Sequence, residues 1–180
     1  MKSKMTLSML LSAGLFISAS AMAASTAKDD IALLINQRLS YMKDVAGYKA
    51  KNHLAIEDLT QEGKVLSGSV AIAEKLGLNG GSVKPFIQAQ MDAAKAIQYR
   101  YRADWLSETE NGWQPAPLDQ VRAKISALNT DILTDISANL KQGVKFTDKN
   151  AFMQAINQPN LKPADKERLW RSLGRITLNQ

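Results

Sequence analysis

From residue 29 onward, apolar residues recur every three or four positions, and this period points to a chain built of helices. In segment 29–51 the stripe is Ile31, Ile35, Leu39, Met42 and Val45. "NHLAIED" interrupts it, and a second helix is expected from about Ile56 to Leu76, stopped by Gly77 and the "LNGGS" turn. Ser82 is placed to cap a third helix, which puts Pro85 in its first turn. That helix runs on through "FIQAQMDAAKAIQYRYRADW" to the polar loop "SETENGWQPAP". A fourth follows from Leu118 to about Lys141, with Ile125, Leu128, Ile132, Ile136 and Leu140 as its stripe. Two shorter helices fit 147–157 and 163–176, separated by "NQPNLKP". No strand pattern competes, and there is no internal repeat. The expected architecture is all-α: one domain, a six-helix, bundle-like arrangement.

The first residues stand apart from this pattern. Lys2 and Lys4 precede an apolar run too short to span a bilayer comfortably, and Ala21-Met22-Ala23 is an A-x-A cleavage signal. Residues 1–23 therefore read as a signal peptide, with the mature domain covering 24–180 and an uncleaved anchor as the alternative. The expected location is the periplasm, with no membrane association after cleavage. Losing Lys2 and Lys4 would lower the formal charge from +6 to +4, a modest excess that suits a small anionic ligand. The chain has no cysteine and one histidine, His53. Thiol chemistry and disulfides are therefore excluded, as is a multi-histidine metal site. His53, near a helix end, reads as a surface or capping residue.

Several charged and amide residues keep step with the aliphatic stripes. Arg38 and Lys49 are eleven residues apart, roughly three helical turns, and so share the face of Ile35, Met42 and Val45. Either one alone could snorkel, its stem over the core edge and its head in water. The pattern repeats, however. Asp58, Gln61, Glu62 and Val65 lie on one face of the second helix, where the two acids also suit the helix dipole. Met91, Ala94 and Gln98 align on the third helix, and Arg122, Ile125, Asn129 and Ile132 on the fourth. Polar groups from four helices meeting in one interior are costly without a ligand. A small molecule with two carboxylates would partner the cations.

In the order and spacing of "INQRLSYMKDVAGYKAKNHLAIED", "QMDAAKAIQYRYRADW" and "PLDQVRAKISALN", the chain resembles the all-helical chorismate mutases, specifically their secreted subclass. The resemblance spans essentially the whole mature chain. It implies rearrangement of chorismate to prephenate, with chorismate as the substrate and no cofactor or metal. By this likeness Arg38 and Arg122 clamp the substrate carboxylates, and Lys49 lies close to a carboxylate and the ether oxygen. Gln98 donates a second hydrogen bond to that oxygen, and Asp58 and Glu62 lie near the ring hydroxyl. Two positions depart from the pattern: Gln61 stands where many relatives have Arg, and Ala94 where some have Thr. The resemblance also implies a homodimer with each active site inside one chain. Residues from about 143 to 180 read as a helical extension that buttresses the bundle.

Two other readings share the fold class. A non-enzymatic periplasmic binder would not require inward cations on several helices. A pyruvate lyase acting on isochorismate would normally be shorter and cytosolic. "YRYRADW" mixes bases with aromatics, but its residues point in different directions around a helix, which disfavours nucleic-acid stacking.

Overall fold

The computed structural model describes residues 31–108 and 110–180. The expected signal peptide and its cleavage site lie outside these residues. Helix α1 is seen over 31–40 and is separated by a turn at Tyr41 from α2 (Met42–Lys51). There follow α3 (Leu59–Lys75), α4 (Gly80–Asp104), α5 (Leu118–Lys141), α6 (Lys149–Ala155) and α7 (Pro163–Leu173). With α1 and α2 taken as one interrupted helix, these are the six expected. Among the described residues there is no strand beyond a single bridge between Leu78 and Leu178.

The 25-residue α4 is the central element and packs against α2, α3 and α7. Its buried residues fall on more than one face: Val83, Phe86, Ile87, Ala93, Ile97 and Gln98 are all covered. Ile31, Ile35 and Leu39 of α1, Ile132 and Ile136 of α5, and Leu169 and Leu173 of α7 complete the core. The C-terminal segment is tied back to the α3–α4 turn. Asn79 N–H donates to the Thr177 carbonyl at 2.8 Å, and Asn179 N–H to that of Gly77 at 2.9 Å. Gly77, at φ +85°, makes the left-handed turn that ends α3.

Several boundaries differ from the sequence-based expectation, three of the starts through capping. α3 begins at Leu59 rather than Ile56, because Asp58 is its N-cap and accepts from Gln61 N–H at 3.0 Å. α4 begins at Gly80, capped by Asn79, whose Oδ1 accepts from Ser82 N–H at 2.9 Å. Ser82 is thus inside the helix, and Pro85 falls in its second turn. The last two helices are also shorter than expected, α6 starting after its Asp148 cap and α7 ending at Leu173. His53 is exposed and takes the left-handed conformation at φ 54°, just past the end of α2.

Candidate active site

A cavity of about 120 Å³, open on one side to solvent, lies between α1, α2, α3, α4 and α5. All eight residues singled out from the sequence line it: Arg38, Lys49, Asp58, Gln61, Glu62, Ala94, Gln98 and Arg122. Its apolar wall comes from Met42, Val45, Ile56, Val65, Met91 and Ile125 among others.

The two inward cations of the first helical pair are buried, Arg38 at 4% and Lys49 at 7% exposure. Neither snorkels. Arg38 Nε donates to Asn129 Oδ1 at 2.6 Å, and its Nη1 to the Gln90 carbonyl at 3.4 Å. Lys49 Nζ donates to the Ile56 carbonyl at 2.5 Å. Both cations thus rest on neutral oxygens. Burial pushes the Arg38 guanidinium down to about 10, so it still carries its charge at neutral pH. Burial also lowers the Lys49 ammonium, helped by the nearby positive charge of Arg122 and opposed by Asp58 and Glu62.

The remaining charges are paired. Arg122 Nη2 lies 3.6 Å from Asp58 Oδ2, and Lys95 Nζ lies 2.8 Å from Glu62 Oε2. Four cations against two carboxylates leave the cavity wall with an excess of two positive charges. Gln98 is 5% exposed; its Nε2 donates to the Ala94 carbonyl at 3.2 Å, while its Oε1 is buried without a partner. The orphaned atom is an acceptor, so the cost is one that only a donor group, such as a ligand hydroxyl, can remove.

Two expectations need correction. Arg122 was placed in the shared interior, but its side chain is 42% exposed and stands at the cavity rim. α5 packs against α2 and α3 and turns this position to the opening, a tertiary outcome that its own stripe does not encode. Asp58 was placed on a face of the second helix, but it is the cap of α3 and meets the cavity from the helix end. Two contributors were missed. Lys95 falls four residues after Met91 and three before Gln98, so the helical period alone could have found it. Asn129, noted on its stripe without a role, fixes Arg38.

The family described as chorismate mutase type II matches residues 26–99. A secreted chorismate mutase from Yersinia pestis is 57% identical over 147 residues, covering 81% of this chain and 79% of the relative. The chain belongs to the chorismate mutase family. A monofunctional chorismate mutase from Enterobacter agglomerans is 42% identical over 85% of each chain. The crystal structure of the secreted chorismate mutase from Yersinia pestis superposes with a TM-score of 0.80 at 56% identity, over 83% of this chain and 98% of that one. The family match takes in Arg38, Lys49, Asp58, Glu62 and Gln98 and stops before α5. Arg122, which lines the cavity, and Asn129, which holds Arg38, lie on α5, beyond that match.

Proposed function

We propose that the chain is an isomerase that rearranges chorismate to prephenate in the cavity between α1 and α5. The observation that carries this reading is the charge balance there: two excess positive charges, with the two most buried cations, Arg38 and Lys49, resting on neutral oxygens. A dianion supplies the missing partners.

The reaction breaks a C–O bond and forms a C–C bond within one molecule, with no atom lost or gained. What it requires is a flexible enolpyruvyl ether folded over the ring with the reacting carbons close together. Arg38, with Arg122 at the rim, binds the carboxylates; guanidinium forks fix orientation as well as charge. Negative charge grows on the ether oxygen as the C–O bond breaks. Lys49 and Gln98 stabilise that charge more strongly in the transition state than in the ground state. Glu62 and Asp58 accept from the ring hydroxyl. Gln61 contributes a neutral donor, and Ala94 leaves room on the α4 wall.

The A-x-A sequence at 21–23 supports export to the periplasm and a mature chain beginning at Ala24. The family likeness, not this motif, is the ground for a homodimer. Among the described residues, no helix is long and apolar enough to cross a membrane. The test is to incubate the purified chain from Ala24 with chorismate and with isochorismate and to identify the products. Prephenate from chorismate supports the proposal. Pyruvate from isochorismate would indicate a lyase, and saturable binding without turnover a carrier.

A further inference from the structure

Lys95 has no part in the carboxylate clamp, yet it makes the closest ion pair on the cavity wall. Its side chain is 19% exposed, and its Nζ lies 2.8 Å from Glu62 Oε2, 3.7 Å from Asp92 Oδ1 and 3.9 Å from Glu57 Oε1. The other oxygen of Glu62 accepts the Asp58 N–H at 3.3 Å, so both Glu62 oxygens are fixed. Asp92 is itself held, by Gln88 Nε2 at 2.9 Å and by Arg168 Nη1 of α7 at 2.8 Å. Lys95 is therefore part of a chain of contacts anchored outside the cavity.

A carboxylate offers about four acceptor positions, so one that is held at each oxygen can still accept from a hydroxyl. An unpaired Glu62 beside Asp58 would instead repel a dianion entering the cavity. Removing Lys95 would also reduce the positive excess of the wall from two charges to one. Gln61 adds no charge from α3, so the fourth cation of the cavity comes from α4.

We propose that Lys95 is a substrate-positioning residue, which neutralises and orients Glu62 so that this carboxylate accepts a hydrogen bond from the ring hydroxyl of bound chorismate. This rests on the chorismate mutase reading above. Lys95 acts through Glu62 and does not touch the breaking bond, so its contribution falls on binding in ground and transition states alike.

The experiment is steady-state turnover of chorismate by Lys95→Ala, Lys95→Met and Lys95→Arg, each alone and combined with Glu62→Gln. Lys95→Met keeps the stem and its packing, which guards against a variant that merely misfolds. Ala and Met should raise KM about ten- to a hundredfold with kcat little changed, and Arg should restore most of the loss. On the Glu62→Gln background, Lys95→Ala should cost less than about twofold more. An unchanged KM in Lys95→Met, beside an active wild type, overturns the role of Lys95 alone. So does an equal loss with and without Glu62. A wild type that does not turn chorismate over removes the reading on which the inference rests, and the inference with it.

Discussion

Arg38 and Lys49 hold positive charge in a place where water has largely been removed, and a depressed affinity for the proton follows. Substrate carboxylates would reverse that depression. The sign follows directly: raising the pH strips the proton from Lys49 and with it the stabilisation of the ether oxygen. kcat/KM, which reports the free enzyme, should therefore fall on the alkaline side with a pKa below the ordinary lysine value of 10.5. The corresponding limb of kcat should lie at higher pH, because the bound dianion favours the charged amine. A pH profile of both parameters checks this. On the acid side Gln98 does not titrate, whereas a Glu there donates only when protonated. Gln98→Glu should accordingly shift activity towards acid, and a pH–rate profile unchanged from wild type would remove Gln98 from contact with the ether oxygen. The inward placement of Arg38, Lys49 and Gln98 was legible from helical spacing, because each lies on a stripe that turned out to be buried. Lys95 lies at the same helical spacing. That a lysine would find a carboxylate on another helix is not written in its own segment.

The elements were legible where the apolar period was long, and less so at their ends. The α4 start was obscured by the Gly80-Gly81 pair, which reads as a turn but lies within the first helical turn under the Asn79 cap. The α3 start was obscured because Asp58 suits a cap and a first-turn acid equally well. One packing detail has no signature in the sequence. Gly47 of α2 lies under Trp113 of the α4–α5 connection, and a Cβ added there would come within 2.5 Å of the indole ring. Lys43 stands over the same ring at 4.7 Å and pairs with Glu110, while Trp105 Nε1 donates to Glu110 at 3.2 Å. The connection is thereby fastened to the outer face of the helix that carries Lys49. Gly47→Ala should cost about 1–3 kcal/mol of stability through overpacking. Thermal unfolding measures it, and a melting temperature equal to wild type would mean that the connection yields without cost.

In the molecule as a whole, the last helices do more than extend a finished bundle. Leu169, Leu173 and Ile176 are buried, as are Phe152 and Ile156. Burying side chains of this size is worth about 1.5–3 kcal/mol each, and five of them rival the total stability of a typical domain. A chain ending at Gln142 should therefore fail to show cooperative unfolding by circular dichroism. Fold class was legible from one sustained period, since a helical domain of this length has few ways to cover its stripes. The polar stripes already pointed to a shared interior, but which residues would face one another across it was not legible, because no single segment specifies where its neighbours sit. The central claim is that this convergence makes a device for rearranging chorismate, and the most direct test is prephenate formation by wild type and Lys49→Ala side by side. One preorganised donor at developing charge is worth about 3–4 kcal/mol, so the account predicts prephenate from the wild type and a loss of roughly two to three orders of magnitude in kcat for the variant. Prephenate formed equally well by a folded Lys49→Ala would contradict it.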